Sequence, residues 1–489
     1  MRILALLIIL AGCVANAQEH QAFVEFSGTA SSGDYAPLWL SSNRQGVVSP
    51  YASSAYERIG YEYSLHQDTT RNWHMRAAAD FILSQNAQQK LAVHQLFADV
   101  SYKKLHLIVG QREQRIDMRY NRLTSGGLSQ GINAQPIPEA MVDVDFFSMP
   151  LTDHWWKVSG RIGYGMTTDG RWQKEWIDNP QRQRYTTNFL YHEKVLIWKI
   201  GDEKRFPLVF EPSLLMMTQF GGTTRNYPGA KDIIDIPHAE DLNAFWHAFW
   251  PMGSEGETDG VVKNVAGNTV GSYNFALSWH GKDWKVRTYI ERMFEDQSML
   301  TVQYGIFDHL IGADIELPRN PYVSHILVEH MSSKDQAGPV FHDSTENIPE
   351  SYTGIDNYYN HSLYPGWQNY GMSIGTPLLT SPIYNKPHAL EFLNNRVKAL
   401  HIALDGNPTD ELSWRILATW TRNWGTFKYP LDEVRNQQYF LAEASYRPMT
   451  LPGWQATVGI GYDHGDLEFI GNSIGAQLTI RKSFNLCKQ

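Results

Sequence analysis

The most regular feature of the chain is an alternation of apolar and polar side chains along short segments. In residues 156–164, Trp156, Val158, Ile162 and Tyr164 share one face, and the other face is mainly polar. Successive side chains of a β-strand point to opposite faces, so this period of two predicts strands with one apolar face. The same alternation recurs in residues 59–65, 73–81, 273–279, 284–290, 412–420, 440–446, 454–462 and 474–480.

Two kinds of all-β fold produce this alternation. A soluble sandwich buries the apolar faces between its sheets, whereas an outer-membrane barrel turns them toward lipid and encloses the polar faces. Trp156 and Tyr164 lie eight residues apart on one apolar face, and Trp454 and Tyr462 repeat this spacing. Eight residues span about 26 Å of strand, or roughly 20 Å along the membrane normal when tilted, close to the apolar band of such barrels.

The polar faces are unusually rich in charge of both signs. Turning a strand over would place Arg161 or Arg415 in lipid, at roughly 2–4 kcal/mol each near the midplane. Backbone groups inside a bilayer must be satisfied within the sheet, so the sheet has to close. We therefore predict an all-β fold, a transmembrane antiparallel β-barrel whose long loops face outside.

The N-terminus predicts export. Met1 and Arg2 precede an apolar run at residues 3–10 and the sequence Ala15-Asn16-Ala17. This is typical of a secretory signal peptide, so we predict a signal peptide at residues 1–17 and a barrel domain at 18–489. A rival site for lipidation at Cys13 is less favoured. Cleavage after Ala17 leaves Cys487 as the only cysteine, so an intrachain disulfide is excluded.

Composition narrows the class of protein further. The net charge of −9 argues against a nucleic-acid partner. The only apolar stretch approaching the length of a spanning helix lies at the extreme N-terminus, which argues against a helical membrane protein. We therefore expect outer-membrane lipid as the surroundings and the bacterial outer membrane as the location.

Two long irregular segments, residues 221–268 and 331–396, interrupt the strand pattern. Loops of this length are usually functional, and in a bacterial barrel the long loops normally face outside. Within the first, residues 239–250 predict a short amphipathic helix, with Leu242, Phe245, Trp246 and Phe249 on one side.

Several patterns resemble enzyme or metal motifs without their structural context. Ser473 lies in a G-x-S-x-G pattern, but it enters a terminal strand and no histidine follows it. His325 and Glu329 would share one face of a strand while His330 points away, so they do not form a metal site. We predict no catalytic residue, cofactor or metal.

One loop does carry residues suited to binding a glycan. Tyr358, Tyr359, His361 and Trp367 are interleaved with amides and a carboxylate. Aromatic faces stack on sugars, and amides and carboxylates bind hydroxyl groups. The alternative is a loop held together by its own aromatic side chains, and we favour it slightly because aromatic clusters are common in long ordered loops.

Short motifs in a fixed order also carry a family resemblance. They are Pro37-Leu38-Trp39-Leu40, Asn43-Arg44-Gln45-Gly46, Thr124-Ser125-Gly126-Gly127-Leu128, Asn133-Ala134-Gln135-Pro136-Ile137-Pro138, Tyr358-Tyr359-Asn360-His361, Gly366-Trp367, Ile374-Gly375-Thr376-Pro377-Leu378 and Asn394-Asn395-Arg396. In this order the sequence resembles the capsule assembly proteins of the Wzi-like group of outer-membrane barrels.

The resemblance implies about 18 strands and a non-enzymatic, lectin-like role in attaching or organising capsular polysaccharide or another surface glycan. This chain differs from better-known members of the group in one respect. Its strand-like alternation begins at Val24 and Phe26, which leaves no room for their periplasmic helical bundle. The alternative that we keep open is an outer-membrane pore or uptake channel for small hydrophilic solutes, which the charged lumen would suit. A barrel enzyme is a third and weaker hypothesis.

Overall fold

The structure is a computed structural model of the chain. It describes residues 18–66, 72–229, 231–250, 253–259, 262–265, 267–295, 307–336, 341–342, 346, 352–353, 356–468 and 470–486. The predicted signal peptide at residues 1–17, which contains Cys13, and residue Cys487 lie outside the described residues.

Eighteen long strands form one sheet. They are β1 (Gln18–Tyr35), β2 (Tyr51–His66), β3 (Trp73–Gln85), β4 (Leu91–Tyr102), β5 (Leu105–Gln111), β6 (Glu139–Ser148), β7 (Trp156–Met166), β8 (Leu190–Ile200), β9 (Leu208–Phe220), β10 (Asn268–His280), β11 (Lys285–Phe294), β12 (His309–Glu316), β13 (His325–Ser332), β14 (Val397–Gly406), β15 (Leu412–Gly425), β16 (Pro430–Tyr446), β17 (Trp454–Gly465) and β18 (Ser473–Asn485).

The sheet is a closed antiparallel meander. Each strand pairs with the next strand along the chain, and β1 pairs with β18 from Gln21–Asn485 to Ser31–Gly475. This last pairing leaves no free strand edge. The predicted fold class, a transmembrane antiparallel barrel with about 18 strands, is therefore confirmed.

The apolar faces of the strands point away from the lumen. On β17, Val458 is 48% exposed and Ile460 is 56% exposed, whereas Asp463 on the opposite face is fully buried. Exposed aromatic side chains form a belt near one end of the barrel: Trp73, Tyr102, Trp279, Trp284, Tyr446 and Trp454. An apolar band with an aromatic edge is the outer surface expected in a bilayer, and a sandwich with a dry interior is excluded.

The two ends of the barrel differ in the length of their connections. The end that carries the termini has short connections, such as residues 103–104 and 281–284. The other end carries the long ones, including residues 36–50, 112–138, 167–189, 221–267 and 333–396. Because short turns face the periplasm and long loops face outside in such barrels, we assign the long connections to the extracellular end.

Smaller elements decorate the long connections. The helices are α1 (Leu38–Ser41), α2 (Gly170–Trp176) and α3 (Leu242–Phe249), with a 3₁₀ turn at Pro382–Tyr384. The short strands are Tyr185–Thr187, Thr223–Pro228, Ile233–Pro237, Gly253–Asp259, Val262–Val265, Phe341–His342, Tyr352–Thr353, Gln368–Asn369 and Met372–Ser373. None of the helices in the described ranges has the length and apolar character needed to cross a membrane.

Helix α3 confirms the predicted helix in residues 239–250. The Asp241 side chain accepts a hydrogen bond from Ala244 N–H and so caps the first turn. The Phe245 ring lies 5.1 Å from both Tyr164 and Phe220, which places α3 against strands β7 and β9. Leu242 is 89% exposed, so the predicted apolar face is packed only in part.

We expect Val458→Arg to lower the free energy of unfolding by roughly 2–4 kcal/mol, because it places a cation on the lipid-facing surface near mid-strand. The measurement is equilibrium refolding into phospholipid vesicles, with the folded fraction read from heat-modifiable gel migration. The adjacent Thr457 lines a lumenal cavity of about 380 Å³, so Thr457→Arg is the matched control and should cost about 1 kcal/mol or less. Equal losses in the two variants would contradict the assigned faces.

Candidate functional site

Loop segments fill the extracellular half of the lumen. Residues 36–50, 112–138 and 356–396, here called the plug, turn inward and pack against the inner face of the barrel in one hydrophobic cluster. Trp39 is 1% exposed, and Tyr359 and Trp367 are not exposed at all. Side chains without exposure do not line a water-filled passage, so the plug occupies this part of the lumen.

The first plug segment is fixed by a carboxylate of the barrel wall and by a glycine. The backbone N–H of Leu38, at the start of α1, donates to the carboxylate of Asp463 at 2.7 Å. Gly46 has a φ of +67°, and a Cβ there would lie 2.7 Å from the backbone nitrogen of Gln135. Glycine therefore allows the first segment to contact the second one closely.

A buried carboxylate on β13 holds the second plug segment. Glu329 accepts hydrogen bonds from the Thr124 hydroxyl at 2.6 Å, from the Ser125 N–H at 2.7 Å and from the Ser125 hydroxyl at 2.5 Å. The hydroxyl of Tyr289, on the neighbouring wall of β11, donates to the same carboxylate at 2.5 Å. Hydrogen bonds to an ionised group are stronger than neutral ones, so this contact anchors the segment firmly.

Glu291 on β11 holds the same segment a few residues later. Its carboxylate accepts from the backbone N–H groups of Leu128 at 2.8 Å and Ser129 at 3.0 Å. It also forms an ion pair with Arg119, which is itself part of the plug. We call Glu291 and Glu329 the wall clamp, because both belong to strands and both hold loop backbone.

The predicted glycan-binding aromatics belong to the third plug segment. Tyr358, Tyr359 and Trp367 are buried in the hydrophobic cluster, and His361 is largely covered. The structure thus brings the four residues into one segment, but it covers the aromatic faces of Tyr358, Tyr359 and Trp367. Glycan binding at these positions stays a prediction from the sequence.

Hydrogen bonds explain why these aromatic side chains are buried. The Tyr358 hydroxyl donates to Asp308 at 3.0 Å, and Trp367 Nε1 donates to the carbonyl of Ser129 at 2.8 Å. Polar groups of buried aromatic residues usually find such partners. The contact between Trp367 and Ser129 also joins the third plug segment to the second.

His361 is held neutral at the outer part of the third segment. Arg184 donates to its backbone carbonyl at 3.1 Å, and its Nδ1 lies 3.1 Å from the N–H of Leu363. Burial lowers the pKa of His361, and the charges of Arg184 and His238 lower it further, to about 3. Protonation of this imidazole is thus opposed by the closed plug.

Below the plug, the lumen forms a charged cavity of about 690 Å³, here called the vestibule. It lies toward the end with short turns. Its charged lining residues are Arg58, Glu62, Arg76, Asp99, Arg112, Glu113, Arg115, Glu139, Asp143, Asp145, Arg161, Glu193 and Arg481. Paired acids such as Asp143 and Asp145 are part of the polar face of strand β6 and line this cavity.

Three possible metal ligands meet at the roof of the vestibule. One ligand atom each of Asp80, His94 and Glu113 lies within 4.8 Å of the others. The Arg58 guanidinium already binds Asp80 at 2.5 Å and Glu113 at 2.7 Å. Burial raises the pKa of Glu113, but the His94 hydrogen bond and the Arg58 charge outweigh it and lower the pKa to about 2. A guanidinium thus supplies the positive charge here.

The other sequence motifs are structural. Ser473 starts β18, and its hydroxyl donates to the Tyr35 carbonyl at 2.8 Å, across the seam where the barrel closes. His325 pairs with Asp405 at 3.0 Å, and Glu329 points into the lumen, while His330 lies on the opposite face beside His309. The predicted divergence of these side chains on a strand is confirmed.

Sequence reasoning missed the plug and the wall clamp. Residues 36–50 and 112–138 contributed only family motifs. Nothing in the sequence distinguishes Glu291 from other acids on the polar strand faces, and Glu329 stood out only within a pattern that resembles a metal motif. One indication was available in the composition of the loops, because Leu38, Trp39 and Leu40 form an apolar run outside any strand. Such a run needs a buried location even though loops normally lie at the surface.

No family model matches the sequence, and no curated protein matches it. Solved structures do match the fold. One is Wzi of Escherichia coli, an outer-membrane protein involved in group 1 capsule assembly and described as a carbohydrate-binding β-barrel. It is 13% identical with a TM-score of 0.54, over 95% of this chain and 85% of that one.

A second match is OccAB2 of Acinetobacter baumannii, 9% identical with a TM-score of 0.51, over 96% of this chain and 98% of that one. The closed barrel and these two likenesses together place the present chain among the barrels of the bacterial outer membrane. At these identities the likeness establishes the fold alone, and one fold can serve several functions.

We expect the double variant Glu291→Gln/Glu329→Gln to loosen the plug, because each carboxylate accepts several buried donors. Loss of such charge-assisted hydrogen bonds should raise hydrogen exchange of residues 119–130 by roughly 30-fold. The same variant should show more frequent channel openings in planar bilayers than the unmodified protein.

The matched control for the wall clamp is Glu211→Gln. Glu211 is a buried carboxylate of the barrel wall, on β9, but its ion-pair partner is Arg287 of the wall at 2.7 Å. This variant should leave exchange of the plug unchanged. If both variants behaved alike, the clamp would have no specific role in holding the plug.

We expect acid to loosen the third plug segment. Because the folded-state pKa of His361 lies near 3 rather than 6.5, stability is complete above about pH 6.5 and falls as the pH drops toward 3. Hydrogen exchange of residues 357–396, corrected for intrinsic rates, should rise roughly 25-fold from about pH 7 to about pH 5. His361→Asn keeps an acceptor for Leu363 without titrating, so it should lose this increase. An unchanged pH dependence in that variant would exclude His361 as the cause.

Proposed function

We propose that this barrel attaches or organises capsular polysaccharide, or another surface glycan, at the cell surface without catalysing a reaction. The observation that carries the proposal is the plug. Loop segments with unexposed side chains such as Trp39, Tyr359 and Trp367 occupy the extracellular half of the lumen. The protein therefore presents a built surface to the outside, which suits binding better than uptake.

Two likenesses support a glycan as the ligand. The ordered motifs that resemble capsule assembly proteins fall largely within the plug, so the resemblance concerns the part that fills the barrel. The fold is also similar to that of Escherichia coli Wzi, which is described as binding carbohydrate. Neither likeness identifies the sugar, and both are compatible with a non-enzymatic protein.

We propose an aromatic platform on the extracellular side as the first contact for the glycan. Trp176 of α2 stacks on Trp172, with ring centroids 5.6 Å apart, and lies 4.4 Å from the ring of His388. His388 Nδ1 is 2.7 Å from the carboxylate of Asp178, and both side chains are about half exposed. Aromatic faces beside an accessible carboxylate suit the C–H faces and hydroxyl groups of a sugar.

The predicted residues Tyr358, Tyr359, His361 and Trp367 lie in the plug. A glycan would reach them only after the third plug segment opened. We therefore propose them as later contacts, and the platform as the contact that the closed protein offers.

The second candidate function is a pore or uptake channel for small hydrophilic solutes. The observation that favours it is the vestibule, which is large and lined by charges of both signs. The two functions differ in conductance. A steadily open channel in planar bilayers would favour uptake, whereas rare openings would favour a plugged surface protein.

We expect Trp176→Ala/His388→Ala to weaken binding of purified capsular polysaccharide by roughly tenfold, because it removes both stacking faces. The measurement is titration of the detergent-solubilised protein in a calorimeter. The control is Trp284→Ala, which removes an exposed tryptophan at the opposite end of the barrel and should leave the affinity unchanged.

A deletion strain tests the proposed role in the cell. If the protein holds capsule at the surface, the strain should release more polysaccharide into the medium than its parent. Absence of binding to purified capsule, together with an unchanged capsule in the deletion strain, would reject the proposed function.

A further inference from the structure

Two cations face each other on the outer surface of the barrel near its extracellular end. Lys398 of β14 and Arg422 of β15 are directly opposite in the strand register. Their chain neighbours Val397 and Asn423 are buried on the inner face, so the two cations point outward.

This pair lies just above the lipid-facing surface. Leu400 and Trp420, paired two residues further down the same strands, are 41% and 37% exposed. Two residues of strand rise by about 7 Å, so Lys398 and Arg422 lie about 7 Å along their strands beyond Leu400 and Trp420, toward the extracellular end. That is the depth of lipid headgroups rather than of acyl chains.

Two further cations extend the pair toward the loops. The ring of Trp424 lies 5.4 Å from the Arg422 guanidinium and 5.5 Å from Lys334 Nζ. Arg396 Nε donates to the backbone carbonyl of Lys334 at 3.0 Å. We call Lys334, Arg396, Lys398 and Arg422 the rim basic cluster.

The protein itself neutralises little of this charge. Among the described residues, Lys334 pairs with Asp335 at 3.5 Å, and neither Lys398 nor Arg422 forms an ion pair with a carboxylate. Asp308, another acid near Arg396, already accepts from Tyr358 and from the Asp335 N–H. Like charges directly opposite each other on neighbouring strands are destabilising, so this arrangement needs an external anion.

We infer that the rim basic cluster binds the phosphate-bearing headgroup of an outer-leaflet lipid. Lysine and arginine bind phosphate as a point charge and as a planar fork, respectively, and clusters of both at a membrane surface attract anionic headgroups. The acyl chains of the same lipid would lie on Leu400 and Trp420 directly below. A soluble acidic polysaccharide could satisfy the charge, but it would gain nothing from these apolar neighbours.

The test measures lipid binding to the full-length protein in detergent by native mass spectrometry. The probe is a purified acylated glucosamine disaccharide with two phosphate groups, compared with the same lipid after its phosphates have been removed. We expect the phosphorylated lipid to remain bound to the protein and the dephosphorylated lipid to show no binding. Lys398→Gln/Arg422→Gln should weaken binding of the phosphorylated lipid by roughly 30-fold, at about fivefold for each cation near a charged surface.

Two further variants make the result specific. Lys398→Arg/Arg422→Lys keeps both charges and should retain binding. Arg171→Gln/Lys174→Gln removes two cations from α2, elsewhere on the extracellular end, and should also bind normally. Heat-modifiable gel migration confirms that each variant is folded, and the charge-retaining variant keeps the comparison valid if the neutral one misfolds.

Several outcomes would overturn the inference. One is equal binding of the phosphorylated and dephosphorylated lipids, and another is normal binding by the folded Lys398→Gln/Arg422→Gln variant. An equal loss in Arg171→Gln/Lys174→Gln would show only a general charge effect. Displacement of the lipid by inorganic phosphate or by acidic polysaccharide at equal concentration would show that the site binds soluble anions. None of these results bears on the aromatic platform, so the proposed glycan role is tested separately.

Discussion

The closed interior depends on carboxylates of the barrel wall that accept hydrogen bonds from loop backbone. Much of the second plug segment is irregular, so its N–H groups have no helix or sheet partner nearby. Buried donors without acceptors would be costly, and Glu291 and Glu329 supply acceptors where regular secondary structure does not. Asp463 does the same for the first turn of α1. Carboxylates of the barrel wall thus supply the hydrogen-bond acceptors that a neighbouring strand would supply in a sheet.

The two halves of the lumen use charge differently. In the upper half, buried carboxylates bind mainly loop backbone, and Glu291 also pairs with Arg119. In the lower half, acids and guanidinium groups pair with one another around an open cavity, as in Arg161 with Asp117 at 2.6 Å and with Glu193 at 2.7 Å. Pairing of the fixed charges weakens the field that any passing ion would experience. The vestibule is therefore polar without strongly selecting one sign of charge.

The fold could be predicted from the sequence because strands of a membrane barrel are governed by a local rule. Lipid on one side and water on the other require alternation, which is visible in segments such as residues 454–462. The plug follows no such rule. Its contacts join residues far apart in the chain, as in Ser125 with Glu329 and Trp367 with Ser129, and no period marks them in advance.

The same reason explains the outcome for the predicted glycan-binding residues. Tyr358, Tyr359 and Trp367 have the composition of a sugar-binding loop, but composition does not distinguish an exposed aromatic face from a buried one. The alternative of a loop held by its own aromatics matches the packing observed. Trp176 and His388, which are partly exposed, lie 212 residues apart, so only the folded chain brings them together.

The contact between Leu38 and Asp463 also constrains the order of assembly. The two residues are separated by 425 positions. Helix α1 therefore cannot bind Asp463 until nearly the whole chain has been synthesised. Closure of β1 against β18 falls at the same late stage. Closure of the wall and docking of α1 are consequently coupled events, and a chain truncated before β17 would lack the Asp463 carboxylate that binds the start of α1.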